Sequence, residues 1–587
     1  MNRPSDALLR GLCLFADLDA STLDDLLSRA DFVFRAAGET LFDVDEQGTE
    51  LYVLVTGRLA AVTRTDKGED SFVGEIVAGE TVGEMAAITG EPRAARVIAI
   101  RDSWLLKLEN SDVQQLFIAH PSFLLKLSRL VVNRLQQTLQ NESPEAPVRT
   151  LTLVNLHEGL DVRRFLDLFA STFRRIGATA IVDPAIVNGV PPERYADRLA
   201  DWMEEQEATA QYLLLPTGVG DSTWDEACVG QADRVVLLTS DEDLEEQDFR
   251  NHPLWQRITA NRFRKIETIV FHLDKQKRAI PTGKFLQRHK LRDCYHLRAG
   301  MKADYSRVAR TITGNAVGLV LGGGGARGFA HVGAIRALQE RGIGIDHVCG
   351  TSIGAFIGAE LASGMSLDEM QALNRQMFVD SNPTNDYRFP RVALLAGRKV
   401  DRRLKKVFGE LAVEDMWLPY FCVSANLSEA AVRVHDRGRV WTSIRASLSI
   451  PGVFPPVIEN NDLLVDGGIV NNLPVLLARQ RRPGRIVAVD VSGNSKLQPI
   501  PGREQSNAAH AHSGGEKPPG ILDILIATGT FGNEVSRGAA ITGTDLLVRP
   551  KLDQFHLLDW KPMEEIEELG YLETCKMLDA SELSADG

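Results

Sequence analysis

Apolar and polar positions along the chain fall into three successive patterns. Up to about residue 145 a short helical lead (23–30) precedes brief apolar or alternating segments, Leu51-Tyr52-Val53-Leu54-Val55, Leu59-Ala60-Ala61-Val62 and Val97-Ile98-Ala99-Ile100. Turn residues at Gly57, Lys67-Gly68 and Gly79 separate them, which predicts a small β-barrel of short strands. A helical period then runs over 113–139 with Pro121 as its interruption. The polar stretch 141–147 reads as a linker. Beyond it, apolar runs at 150–154, 179–182, 211–215, 234–238 and 266–271 alternate with helical segments, including an amphipathic one at 162–176. That alternation predicts an open parallel α/β sheet. The third pattern starts with the run Val317-Gly318-Leu319-Val320-Leu321. It continues through a glycine cluster at 322–328, a helix at 329–338, a second apolar segment ending in Gly350-Thr351-Ser352-Ile353-Gly354, and a small-residue helix at 355–362. The expected organisation is a multidomain α/β protein with a barrel domain at 8–142, an α/β relay or structural domain at 148–300, and a last domain at 314–587. The low-complexity stretch 497–520 is expected to be a disordered insert, with core-like patterns resuming at 521–526 and 546–548.

Composition narrows the function classes. At 587 residues the chain exceeds one hydrophobic core, in keeping with about three domains. A net charge of -13 speaks against a nucleic-acid partner. Six cysteines without a CxxC pair favour a reducing compartment over a disulfide framework or zinc site, and His272, His289 and His296 have no ligand-spaced partners, so no metal is expected. No run approaches the ~18 apolar residues of a membrane span, and the first residues form no signal-peptide pattern. A cytoplasmic protein is expected, one that meets any lipid substrate from outside, at the inner face of the membrane. The first α/β strand leads into Asn155-Leu156-His157-Glu158-Gly159-Leu160, which lacks the lysine and glycine spacing of a phosphate-binding loop.

The glycine cluster contains Gly323-x-Gly325-x-x-Gly328 between strand and helix, so a dinucleotide site and hence an oxidoreductase must be weighed, with Asp346 at roughly the ribose-binding offset. The next strand leads instead into Gly-x-Ser-x-Gly. There a sharp strand-to-helix turn projects the Ser352 hydroxyl and the flanking glycines, Gly350 and Gly354, remove side chains that would collide. A serine nucleophile needs a base. The histidines after Ser352 are His435, His510, His512 and His556, of which His510 and His512 fall in the low-complexity stretch and His435 in a strand-and-turn context; upstream, His331 sits at helical spacing suited to packing. The apolar strand 463–465 ends instead in Asp466-Gly467-Gly468.

Together the glycine cluster 322–328, Gly350-Thr351-Ser352-Ile353-Gly354, Ala-Ser-Leu-Ser-Ile-Pro-Gly-Val-Phe-Pro-Pro at 446–456 and Asp466-Gly467-Gly468 resemble the patatin-like phospholipases, four motifs in order across about 150 residues. Within the barrel, Gly83-Glu84-Met85-Ala86-Ala87 and Pro92-Arg93-Ala94-Ala95-Arg96-Val97 resemble the phosphate-binding cassette of cyclic-nucleotide-binding domains, with Arg96 where that cassette usually has Thr or Ser. The pairing is similar to the neuropathy target esterase group. The resemblance implies a serine esterase acting on lysophospholipids or phospholipids at a membrane surface, with Ser352 as nucleophile and Asp466 as base. Gly323, Gly324 and Gly325 would form the oxyanion hole, Arg327 would anchor the loop or contact an anionic head group, and Gly328 would belong to the same active-site loop. It implies no required cofactor, and a cyclic nucleotide, cAMP or cGMP, as regulator through Gly83, Glu84, Arg93 and Ala94. The alternative is a cyclic-nucleotide sensor whose patatin domain is inactive. No sequence feature specifies an oligomeric state.

Overall fold

The computed structural model describes residues 4 and 6–583, apart from 16–17, 65–69, 140–146, 157–161, 207–208, 219–221, 243, 273–279, 293, 382–385, 388, 390–391, 494–499, 502–515, 518–537 and 539. The expected turn at Lys67-Gly68, nearly all of the 141–147 linker and the core-like 521–526 stretch lie outside the described residues, as does most of the 497–520 insert. Within that insert Ile500–Pro501 pairs with Glu516–Lys517. The chain divides into two compact units, Met1–Ile269 and Val270–Gly587.

The first unit opens with the helix Ala20–Arg29, whose Asp19 carboxylate accepts from the Thr22 amide as N-cap. An antiparallel six-stranded barrel sheet comes next, built on Leu51–Arg64 and Arg96–Leu108. Gly57 does not turn the chain between two strands but lies inside the single strand Leu51–Arg64, whose register against Arg96–Leu108 shifts on either side of it. Gly57 has φ +110°, and a Cβ there would fall 2.2 Å from Ser103 Oγ. The irregularity is therefore a glycine bulge that bends a continuous strand. Pro121 ends one helix, Asn110–Ala119, and starts the next, Pro121–Leu139, at the position where its missing N–H costs nothing.

Past this barrel, the strands Thr150–Asn155, Thr179–Ile181, Tyr212–Pro216 and Arg234–Ser240 pair in parallel, and the helix Val162–Ile176 matches the amphipathic pattern. A buried ionic knot ties barrel to sheet inside this unit. Asp233 sits between Arg58 and Arg101, each 3.2 Å away, and accepts from the amides of Arg149 and Thr150 at 2.9 Å. The Asn261 amide group and the Arg264 guanidinium also donate to barrel carbonyls, at Ala99 and Ile100.

The second unit is built on a mixed sheet. Ala316–Leu321 lies between His347–Thr351 and Gly484–Val489, all parallel, and Tyr420–Asn426 extends the parallel set. Asp462–Asp466 then adds antiparallel. The central strand is buried throughout, its alternate side chains entering apolar clusters on the two faces: Val317, Leu319 and Leu321 on one, Val320 on the other. Register places the chemistry. Thr351 pairs with Val423, and Ser424, the next residue, pairs with Asp466. Residue 352 and residue 466 thus emerge at the same level on either side of one intervening strand.

Candidate active site

Ser352 occupies the turn between the strand His347–Thr351 and the helix Ile353–Ala362, with φ 55° and ψ −122°. A non-glycine residue here is strained, and its neighbours hold it in place. The Ser352 amide donates to Ser447 Oγ at 2.8 Å, and that hydroxyl donates to the Val423 carbonyl at 2.7 Å. Both flanking glycines are sterically required. A Cβ on Gly350 would lie 2.4 Å from the backbone of Gly354, and one on Gly354 would lie 2.2 Å from the Leu321 carbonyl oxygen.

Ser352 Oγ donates to Asp466 Oδ2 at 2.7 Å. The second carboxylate oxygen accepts from the Gly468 amide, also at 2.7 Å. Burial raises the Asp466 carboxyl to about 6, against the lowering effect of these two hydrogen bonds. Such a group is ionised at neutral pH yet far more basic than an exposed aspartate. Among the described residues no histidine takes that place. His331 hydrogen-bonds the Gly322 carbonyl at 2.8 Å, and burial lowers its imidazole to about 4. His435 hydrogen-bonds Ser424 Oγ at 2.8 Å.

The glycine loop runs from the end of Ala316–Leu321 into the one-turn helix Gly325–Phe329. Its first two amides already have acceptors, Gly322 donating to Val489 at 3.0 Å and Gly323 more weakly to the Asn472 carbonyl at 3.4 Å. The Gly324 and Gly325 amides meet no acceptor among the described residues. Arg327 fastens the loop by donating to the carbonyls of Phe555 and Ser492. Gly328 lets the loop pack on Ile353, whose side chain would lie 2.3 Å from a Cβ there. Neither Ser447, within the 446–456 motif, nor Asn472, whose side chain donates to the Gly323 carbonyl at 3.1 Å, has a role legible in the sequence. Asn472 had no local signal, because its partner lies 149 residues away.

Ser352 and Gly325 open onto a cleft of about 660 Å³, its solvent-facing mouth included, walled chiefly by apolar side chains such as Met377, Phe378, Val400, Phe454 and Trp560. Two arginines also line it. Arg445 is paired with Asp401 and Ser449. Arg403 donates to the carbonyls of Met377 and Ser381 and has no carboxylate partner among the described residues. Among the described residues no group of His, Cys, Asp and Glu could hold a metal ion, and no helix is long and apolar enough to cross a membrane.

In the first unit Gly83, with φ +87°, starts the short helix Glu84–Thr89. Arg93 lies below it, buried, its guanidinium 2.9 Å from the Glu50 carboxylate, donating to the Glu50 and Gly83 carbonyls, and stacked 4.4 Å from the Phe42 ring centre. Glu84 pairs with Arg134 at 2.8 Å. Ala94 follows Arg93 on the exposed side of the same loop. Arg96 makes two 2.8 Å hydrogen bonds to Asp43.

Residues 319–479 match the family model described as patatin-like phospholipase, and residues 33–120 that described as cyclic nucleotide-binding domain. The chain is 29% identical over 517 residues to "Patatin-like phospholipase domain-containing protein 6" of Pongo abelii, covering 78% of this chain and 38% of that protein. It is 27% identical over 631 residues to "Lysophospholipase NTE1" of Coccidioides immitis (strain RS), covering 91% and 39%, and 27% identical over 630 residues to the protein of that name in Candida albicans, covering 91% and 45%. It spans less than half the length of each of these relatives. One chain thus carries a match to a cyclic nucleotide-binding domain followed by a match to a patatin-like phospholipase domain.

Proposed function

We propose that the chain is a serine hydrolase that cleaves the acyl ester of lysophospholipids or phospholipids through a Ser352–Asp466 dyad. The observation that carries this reading is the 2.7 Å hydrogen bond from the strained Ser352 hydroxyl to a buried, basic carboxylate at the floor of an apolar cleft. An acyl chain fits the cleft wall. As Ser352 Oγ attacks the ester carbonyl, its proton passes to Asp466 Oδ2 and a tetrahedral oxyanion forms. The Gly324 and Gly325 amides, lacking acceptors of their own, are the donors available to hold that oxyanion, each such donor being worth about 3 kcal/mol. Asp466 returns its proton to the departing alkoxide, leaving an acyl-serine. Water, deprotonated by the same carboxylate, then releases the fatty acid and restores the hydroxyl. Arg403, a guanidinium in the cleft wall without a carboxylate partner among the described residues, suits the phosphate of a glycerophospholipid. Such an enzyme works from the inner face of a membrane.

The same reading gives the N-terminal domain a regulatory role with cAMP or cGMP as effector, supported by the matched domain and its retained Gly83, Glu84 and Arg93. Binding requires Arg93 to exchange Glu50 for the cyclic phosphate. The test of the hydrolase is labelling by a fluorophosphonate together with fatty-acid release from lysophosphatidylcholine. Both are expected in the wild type and absent in Ser352→Ala, and equal behaviour of the two proteins refutes the assignment.

A further inference from the structure

We infer that the basic face of the helix Arg398–Phe408, which contributes Val400 and Arg403 to the wall of the Ser352 cleft, together with the exposed Tyr387, Phe389 and Val392, is the surface by which the chain docks on an anionic phospholipid bilayer. The inference rests on the proposed lipid substrate for its purpose, though not for its evidence. In a chain of net charge -13, residues 398–406 carry six Lys and Arg against one Asp, Asp401, with Asp386 ahead of them. Neither aspartate offsets the outward row. Asp386 accepts from the Arg398 and Lys399 amides at the start of the helix Arg398–Phe408, and Asp401 is held by Arg445.

The helix itself is sharply two-faced. Val400, Leu404 and Phe408, four residues apart, are buried, whereas Arg398, Arg402, Lys405 and Lys406 are exposed. Arg398, Arg402 and Lys406 make no ion pair among the described residues, and Lys405 lies 4.4 Å from the Trp441 ring centre. A charged face alone would be a solvated surface. Here the chain leading into the helix, tied back toward it by the Tyr387–Leu395 bridge, carries large apolar side chains in solvent, with Tyr387 and Phe389 each 78% exposed and Val392 58% exposed. Aromatic side chains beside a basic helix face are the combination that inserts at the headgroup level while cations meet anionic lipid. A nucleic acid or acidic protein would use the cations but leave the apolar side chains in water.

Position completes the case. Leu394 and Leu395 donate to the carbonyls of Gly452 and Val453, which ties the segment to the loop carrying Phe454 in the cleft wall. The helix contributes Val400 and Arg403 to the same wall. A bilayer seated on this helix face therefore lies beside the cleft, and a lipid reaches Ser352 without crossing open water.

The experiment is co-sedimentation of the full chain with vesicles of phosphatidylcholine alone or with about a third phosphatidylglycerol. Wild type is expected to pellet with the anionic vesicles and to be released by salt. Two variants, Arg402→Glu/Lys406→Glu and Phe389→Ser/Val392→Ser, should each lower the partition coefficient by about tenfold or more. Cleavage of a water-soluble short-chain ester, which needs no bilayer, should be unchanged in both and reports that they are folded. Variants that pellet like wild type, equal binding to both vesicles, or binding to heparin without binding to vesicles overturns the proposal. Loss of vesicle binding in these variants with no ester cleavage by wild type sinks the hydrolase reading and supports the surface. The reverse pattern sinks only the surface.

Discussion

Replacing Asp466 by Asn tests the dyad through two effects of opposite sign. The amide is the same shape. Its oxygen can keep the bond from the Gly468 N–H, and its NH₂ can face Ser352 Oγ in place of Oδ2, so the geometry at 2.7 Å survives while the capacity to take a proton is lost. General-base contributions of this kind are about 10²–10⁴ in rate, so ester hydrolysis should fall by about that factor. Stability should move the other way. An aspartate ordinarily titrates at 3.8, and this one is raised to about 6 by burial. Between those values the native state holds a proton that the unfolded chain has released. Wild-type stability therefore falls as pH rises through that window and levels off above it. Two units at about 1.4 kcal/mol each put the burden near 3 kcal/mol at pH 7. Asparagine carries none of it, so the variant should be more stable by up to about 3 kcal/mol above pH 6, with the gain vanishing below pH 4. Hydrogen exchange of peptides spanning Asp462–Asp466, at acid and neutral pH, reads the stability locally and avoids a global melt of two units. Wild-type kcat/KM should rise with pH to a plateau with its midpoint near 6. Wild-type rates in the variant, or a destabilisation independent of pH, would refute the reasoning.

Three more contacts give measurable outcomes. Gly354→Ala drives a Cβ to 2.2 Å from the Leu321 carbonyl, so fluorophosphonate labelling at Ser352 should be lost along with several kcal/mol of stability, measured by denaturant titration. Asp233→Asn leaves Arg58 and Arg101 buried without their shared counter-charge and should cost about 3–5 kcal/mol, seen as a lower denaturation midpoint of the first unit. Glu50→Gln removes the carboxylate that holds Arg93, and cyclic-nucleotide affinity, followed calorimetrically, should rise. An unchanged or weaker affinity would show that Glu50 does not compete with the phosphate.

Local periodicity was enough to find elements such as the helix Val162–Ile176 and the strands Ala316–Leu321 and Arg234–Ser240, because burial of one face repeats within a few residues. Motif order was enough to single out Ser352 and Asp466 as candidates through the family resemblance, since each sits in a short pattern whose glycines serve its own backbone. Gly57 was misread because a glycine between apolar runs signals a turn and a bulge alike, and only the partner strand carrying Ser103 distinguishes them. Beyond reach altogether were the capture of Arg93 by Glu50, the Asp233 knot and the brace from Asn472 to Gly323, whose partners lie 43 to 175 residues apart. What the sequence alone determined was therefore a share of the elements, those with a strong local period, and the candidacy of Ser352 and Asp466. The tertiary structure decided that Thr351, Val423, Ser424 and Asp466 share one register, that the carboxylate is buried enough to be basic, and which loop amides are left without acceptors. Those properties depend on what packs against a residue, and no local pattern encodes packing between distant segments.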